Sequence, residues 1–301
     1  MQPVLTEVAR AEVATATTPS AEVSRLSHAT REKESRLVAW LAAQRSVMLG
    51  FSGGVDSAYL AAVATKTLGP SRFLAVIGRS PSYPDAQWDA ARSLAAQFDI
   101  PVLEVNTHEM LDPNYVANPS NRCYFCKTEL WSVLRTVAEE RGLAAIIDGT
   151  NADDLGDWRP GRQAAREHDV SSPLADLGFT KDDIRTLSRE RGLPTWSQPS
   201  SPCLSSRLPY GSAVTIERLE QVERAEAALR ALGVQGDLRV RHHGDLARVE
   251  LPAGQLDTWL APHNLRALAD AVRSAGFARV SLDLKGFRSG SLNIIGAAAG
   301  A

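Results

Sequence analysis

Ser46-Val47-Met48-Leu49-Gly50-Phe51 runs without a break into Ser52-Gly53-Gly54-Val55-Asp56-Ser57. The first six residues are compact and mostly apolar, with polar sequence outside them, which suits a strand buried on both faces. The next six are polar and glycine-containing, and they lead into Ala58-Tyr59-Leu60-Ala61-Ala62-Val63-Ala64, a run of helix formers. Strand, tight turn and helix start together make an anion site, because free backbone N–H groups and the positive end of the helix dipole converge there. Gly53 and Gly54 let a phosphate approach the backbone, and Ser52 and Ser57 add hydroxyl donors. This is not a Walker A loop, since no G-x-x-x-x-G-K-[ST] occurs in the chain.

The same alternation continues on either side. Residues 31–44 carry Leu37, Val38, Trp40 and Leu41 on one side, as an amphipathic helix would. Residues 73–77, 101–105 and 144–147 read as further strands, with helices at 85–98 and about 124–141. Strands alternating with helices in this way imply βαβ units and an α/β, doubly wound parallel sheet. Ligands of such sheets sit beyond the carboxyl ends of the strands. Three loops then surround one crevice: 52–57, 78–83, and Asp148-Gly149-Thr150-Asn151 with Asp153 and Asp154. The last loop offers carboxylates suited to phosphate-bound Mg²⁺; the alternative is an acidic helix cap in a solvated turn.

Farther on, Thr180 and Asp183 have capping-box spacing, and the helix they start stops at Gly192 and Pro194. Residues 197–211 form a proline- and serine-rich loop containing Cys203 and Arg207, a length that favours function inside a compact protein. The texture then changes to a helix at 215–232, paired strands at 238–242 and 246–251 with Gly244-Asp245 between them, a helix at 262–275 and a strand at 278–284. This predicts a second, smaller α+β domain. The expected division is a mobile tail at 1–30, a main domain at 31–208, the small domain at 209–295 and a loose end at 296–301. Arg239 and Arg241 share one strand face and could grip a phosphate, unless that face is simply solvated.

A chain of 301 residues with 44% hydrophobic and 23% charged residues is expected to be a soluble globular protein of two domains. Its net charge of -2 argues against a general nucleic-acid-binding surface. No apolar run approaches the ~20 residues that span a membrane, and no secretory h-region is seen, so a cytoplasmic location is expected. Only three cysteines are present, which argues against a disulfide scaffold.

Those cysteines fall in motifs. Cys123 and Cys126 lie in Asn121-Arg122-Cys123-Tyr124-Phe125-Cys126-Lys127, near a helix start, where residues three apart share a face. The helix terminus, Arg122 and Lys127 are expected to favour thiolates. Cys203 sits far downstream in the proline-flanked loop. Three thiolates support either a three-ligand metal or iron–sulfur site, or a nucleophilic or sulfur-donating cysteine with a C-x-x-C nearby. Structural zinc usually takes four ligands, whereas three cysteines on a [4Fe–4S] cluster leave one iron open.

Ser52-Gly53-Gly54-Val55-Asp56-Ser57 resembles the PP-loop, S-G-G-x-D-S, of ATP pyrophosphatases of the adenine nucleotide alpha hydrolase-like fold. Arg122 to Lys127, Asp148 to Asp154, Asp157-Trp158-Arg159-Pro160-Gly161, Pro202-Cys203-Leu204-Ser205-Ser206-Arg207, Pro209-Tyr210-Gly211 and Asp283-Leu284-Lys285-Gly286-Phe287-Arg288-Ser289-Gly290 follow in order. Together they resemble the LarE family, ATP-dependent sulfur transferases of nickel-pincer nucleotide cofactor assembly, over roughly residues 31–295.

The resemblance implies that a carboxylate of pyridinium-3,5-dicarboxylate mononucleotide attacks ATP at the α-phosphate, releasing pyrophosphate. Sulfur then displaces AMP and leaves a thiocarboxylate. It implies a nucleotide site of Ser52, Gly53, Gly54, Asp56, Ser57, Asp148, Gly149 and Asn151, with Asp153 and Asp154 as candidate Mg²⁺ ligands. Arg207, Arg239 and Arg241 become candidates for holding substrate. Cys203 matches the family's sacrificial sulfur donor, while Cys123 and Cys126 match members thought to bind a [4Fe–4S] cluster through three cysteines. The cluster route is expected, with Cys203 essential under either. A homo-oligomer working with other cofactor-assembly proteins is also implied. The rival readings are a PP-loop tRNA thiolase and a non-catalytic ATP-binding module. Against the thiolase stand the charge and the lack of a basic RNA-binding stretch.

Overall fold

The computed structural model describes residues 27–156 and 160–288. The expected mobility of residues 1–26, the looseness of 296–301 and Asp157-Trp158-Arg159 all lie outside them. Ser27 to Thr30 do not belong to a tail. Ser27 caps α1 (His28–Ala43), accepting from Thr30 N at 3.1 Å, and the Thr30 hydroxyl donates to Asp183 at 2.7 Å.

The quoted stretch becomes β1 (Val47–Gly50), a turn, and α2 (Val55–Leu68). There follow β2 (Phe73–Arg79), α3 (Asp85–Gln97), β3 (Val102–Asn106), a short α4 (Pro113–Val116), α5 (Arg122–Arg141) and β4 (Ala145–Ile147). After them come α6 (Pro160–Glu167), a two-residue β5 (Val170–Ser171), a short α7 (Pro173–Asp176) and α8 (Lys181–Glu190). The sheet order is β3-β2-β1-β4-β5 and every pairing is parallel. Strand order reverses between β1 and β4, so the crevice at their carboxyl ends is the topological switch point. The edge strand β5 was not read from the sequence, because two residues carry no period.

Alternation along the strands explains the doubly wound arrangement. Val47 and Leu49 of β1, with Phe73, Ala75 and Ile77 of β2 and Ile147 of β4, face a core shared with α1, α2 and α3. Met48, Val76 and Ile146 point the other way, into a core completed by Trp131, Leu134 and Ala138 of α5. Successive side chains of a strand point to opposite faces, so four central residues serve both layers.

The second sheet, of order β6-β7-β8, is built from β6 (Arg239–His243), β7 (Leu246–Glu250) and β8 (Arg279–Leu282). It packs with α9 (Ile216–Ala231) and α11 (Pro262–Ser274), a short α10 (Leu256–Leu260) lying between β7 and α11. The β6–β7 hairpin is antiparallel, with Gly244 in its turn at φ +68°, and β8 joins β7 in parallel. Tyr115, Leu204 and Leu208 enter this core, so packing crosses the expected boundary at residue 209. No described helix is long and apolar enough to cross a membrane.

The capping box at Thr180 and Asp183 is formed as expected. Burial works to raise the Asp183 carboxyl, but hydrogen bonds from Lys33, Thr30 and Thr180 outweigh it and hold the group down to about 2. An unfolded aspartate titrates near ~4. The folded value is the lower one, so Asp183 contributes stability above pH ~4 and loses it as pH falls toward 2. Asp183→Asn should therefore lower stability at neutral pH and flatten the acid limb between about pH 4 and 2, read by urea denaturation at a series of pH values.

Candidate active site

Gly53 occupies the left-handed region at φ +68°, and a Cβ there would lie 2.5 Å from the Ala91 Cβ, so both conformation and packing require glycine. The Ser52 carbonyl is pinned outward by the Tyr83 hydroxyl at 2.9 Å and Gln87 Nε2 at 3.1 Å. The hydroxyls of Ser52 and Ser57 lie 3.1 Å apart, and Ser57 also donates to the Gly54 carbonyl. Gly149 is the second required glycine: a Cβ would sit 3.0 Å from Ser57 N, which lets the loop after β4 close onto the helix start.

A cavity of about 150 Å³ opens above this turn, lined by Ser52 to Asp56 on one side and residues 198–201 on the other. Among the described residues, Lys181 is the one basic residue in its lining. Its Nζ lies 2.5 Å from Asp56 Oδ2, while Asp56 Oδ1 is buried with no partner among those residues. The sequence reading passed over Lys181. Its only signal there was the capping box, which places Lys181 at the first position of α8, and the distance of 125 residues from Asp56 hid the pairing.

The loop after β4 is ordered by its own side chains. Asp148 accepts from Thr150 and from the Ser172 hydroxyl, and buried Asn151 accepts from the backbone of Asp153 and Asp154. Asp153 Oδ2 accepts from Lys181 N at 2.8 Å, capping α8, and Asp154 accepts from Asn151 N. Among the described residues, no three His, Cys, Asp or Glu side chains converge tightly enough to hold a metal ion.

Helix α5 begins two residues earlier than the sequence suggested, so Cys123 and Cys126 both lie in its first turn. Cys203 caps the 3-10 turn Leu204–Arg207. Charge at Cys203 would oppose ionisation of both Cys123 and Cys126, which sets the three sulfurs near one another. Cys123 is exposed at its surface, yet the protein packed around it raises the thiol above its ordinary value, and charge at Cys203 adds to this, against a weaker opposing pull from Arg122. Cys126 is raised further, by burial first and then by Glu109 and Cys203. The expectation that the helix start, Arg122 and Lys127 would favour thiolates at this pair is therefore reversed. Desolvation and like charge outweigh the nearby cations.

Three arginines hold the Cys203 loop. Arg207, 2% exposed, forks onto Glu226 at 2.9 Å through both Nε and Nη2, and donates to the carbonyls of Pro202 and Cys203. Arg239 donates to the Ser200 carbonyl at 2.8 Å. Arg241 donates to the Ser206 carbonyl at 3.0 Å and pairs with fully buried Glu250 at 2.8 Å. Arg239 and Arg241 do share a face of β6, but that face is buried rather than solvated. Burial, reinforced by Arg207, pushes the Arg239 guanidinium down to about 10. Glu226 and Asp237, the latter 3.9 Å away, offset part of its charge.

The pattern of the NAD synthase family matches residues 35–124. The chain is 45% identical to an uncharacterised protein of Synechocystis sp., over 82% of this chain and 91% of that one. It is 36% identical to pyridinium-3,5-bisthiocarboxylic acid mononucleotide synthase of Lactiplantibacillus plantarum, over 87% of this chain and 94% of the relative. The chain belongs to the LarE family. An uncharacterised protein of Methanocaldococcus jannaschii is 26% identical over 81% of this chain and 92% of its own length.

Residues 198–201 line the cavity above the glycine turn, and Cys203 follows two positions later in the same loop. Arg207→Ala should destabilise the fold by about 2–4 kcal/mol, because it removes a buried guanidinium and strips half-buried Glu226 of its fork. Arg207→Lys should recover part of this without restoring the fork. Urea denaturation checks both, and limited proteolysis of residues 198–206 should rise in step.

Proposed function

We propose that the chain is an ATP-dependent sulfur transferase that converts a carboxylate of pyridinium-3,5-dicarboxylate mononucleotide into a thiocarboxylate. The observation that carries this is the shared wall: one loop lines the phosphate cavity through residues 198–201 and presents Cys203 immediately afterward.

In the first step the substrate carboxylate oxygen bonds to the α-phosphorus of ATP and the bond to the β-phosphate oxygen breaks, releasing pyrophosphate. The backbone N–H groups of residues 52–57 and the start of α2 hold the polyphosphate. Lys181 exchanges Asp56 for phosphate oxygens, and the freed Asp56 carboxylate, with its unpartnered Oδ1, suits the accompanying Mg²⁺. Asp148, Gly149 and Asn151 shape the facing loop, and Asp153 and Asp154 keep it closed on α8. Arg239 takes an anionic group of the substrate, since it is buried beside the like charges of Arg207 and Arg241. Arg207 and Arg241 hold the loop in register and add to the positive field.

In the second step sulfur bonds to the acyl carbon and AMP leaves with the electrons of the carbon–oxygen bond. Cys123, Cys126 and Cys203 would hold a [4Fe–4S] cluster, whose open iron supplies the sulfur as sulfide. The donor chemistry suits such a group: three thiols near enough to feel one another's charge, with buried Arg122 near two of them, would offer an anionic cluster ligands and compensation. A cubane also spaces its ligands more widely than a single ion does. The alternative is that Cys203 itself yields its sulfur and becomes dehydroalanine. The enzyme works as a homo-oligomer within nickel-pincer cofactor assembly.

Pyrophosphate release should depend on the pyridinium mononucleotide and not on tRNA. ATP binding without pyrophosphate release on any acid substrate would sink the proposal. Lys181→Ala should weaken ATP binding on the order of tenfold to a hundredfold while leaving the fold intact. Protein purified without oxygen should be brown and carry iron and inorganic sulfide, and Cys203→Ser should abolish thiocarboxylate but not pyrophosphate. A colourless protein that loses the mass of H₂S at Cys203 after one turnover selects the sacrificial route.

A further inference from the structure

The loop after β4 borders two cavities. Gly149 closes onto Ser57 beside the glycine turn, whereas its neighbour Thr150 lines a second cavity of about 170 Å³ at the carboxyl ends of β4 and β5. Arg162 and Arg166 of α6 line that cavity too, four residues apart and so on one helix face. Buried Ala165, Val170 and Ala175 supply its apolar surface.

The charge in this lining is one-sided. Arg162 is half-buried and donates to the Leu155 carbonyl at 3.2 Å, and Arg166 is exposed. Among the described residues neither forms an ion pair; Asp176 shares the lining but stands beyond ion-pair distance of both. Like charges at this spacing on a helix repel, so an anion between them relieves a cost. Thr150 and Ser172 spend their hydroxyl protons on Asp148, each at 2.8 Å, which leaves Ser171 as the hydroxyl donor of the lining. Two guanidinium forks and a hydroxyl are a donor set for phosphate oxygens. The volume is well below the roughly 300–1,000 Å³ that encloses a whole drug-sized ligand, so the cavity suits one charged end of a molecule.

We propose that this cavity is a phosphate site, in which Arg162, Arg166 and the Ser171 hydroxyl hold the monophosphate of the mononucleotide substrate. The inference rests on the substrate named under the proposed function. That substrate carries two carboxylates and a phosphate, and a phosphate monoester bears close to two negative charges at neutral pH, matching two arginines. Asp148 ties the cavity's Thr150 and Ser172 to the loop whose Gly149 packs on Ser57. The substrate phosphate is thus held one loop away from the polyphosphate of ATP, which keeps two strongly charged groups apart.

Isothermal titration calorimetry on the full chain tests this by comparing the pyridinium mononucleotide with the same nucleoside lacking its phosphate. Wild type should prefer the mononucleotide on the order of tenfold to a hundredfold, and inorganic phosphate should compete for it. The preference should shrink toward one in the double variant Arg162→Gln, Arg166→Gln, and partway in Arg166→Gln alone, with ATP affinity unchanged in both. Arg166 is exposed, so the single variant still decides if the double one does not fold. A preference kept at its wild-type size in Arg166→Gln, or one lost only together with ATP binding, overturns the inference and leaves the proposed function standing. Arginine-dependent binding of inorganic phosphate with the mononucleotide preference unchanged assigns the cavity to free phosphate and likewise overturns it. Wild type that binds ATP but not the mononucleotide overturns both.

Discussion

The guanidinium of Arg207, locked into both oxygens of Glu226, is the contact through which the rest of the site is assembled. The segment it holds has little regular structure, so its carbonyls need partners from elsewhere. Arg207 supplies two of them, and Arg239 and Arg241 supply others at Ser200 and Ser206. Charge-assisted bonds of this kind are short and directional. Glu226 also accepts from the backbone of Val240, so the same carboxylate fixes the loop and the strand behind it. Because each buried charge would be costly if left alone, the arrangement holds as a unit or not at all.

From this clamp the loop reaches toward the first sheet at several points. Leu204 N bonds the Ser82 carbonyl, and the Tyr115 hydroxyl lies 2.6 Å from the Ser205 hydroxyl. Asn118 donates to the carbonyls of Pro209 and Ser212, and Glu223 of α9 accepts from Asp85 N at the start of α3. The second sheet thereby backs the loop whose residues 198–201 line the crevice beside the glycine turn. Two kinds of chemistry meet there and depend on different devices. The phosphate loop relies on backbone, shaped by glycines that admit no side chain. The sulfur site relies on side-chain charge in a poorly solvated setting.

Much of the fold was legible. Apolar runs near residues 47, 73 and 145 became parallel strands with both faces covered, while the run near 102 became an edge strand that leaves Glu104 and Asn106 exposed. Thr180 and Asp183 announced a helix start by local hydrogen-bonding chemistry alone, and Gly244-Asp245 announced its hairpin in the same way. The phosphate loop was readable for a similar reason: its function lies in contiguous backbone.

What the sequence by itself determined, then, is whatever depends on neighbours along the chain: strand periods, caps, turns, the glycine loop and the identity of the three thiols. What only the tertiary structure decided is whatever depends on burial and distant partners. Arginines 239 and 241 could have faced solvent; packing put them inside and committed Arg241 to Glu250. Cys123 and Cys126 sit beside cations in sequence, yet desolvation raises their thiols. Lys181 met Asp56 because the fold carried it there. Electrostatic energy depends on distance through space and on the water excluded from it, and a linear sequence records neither.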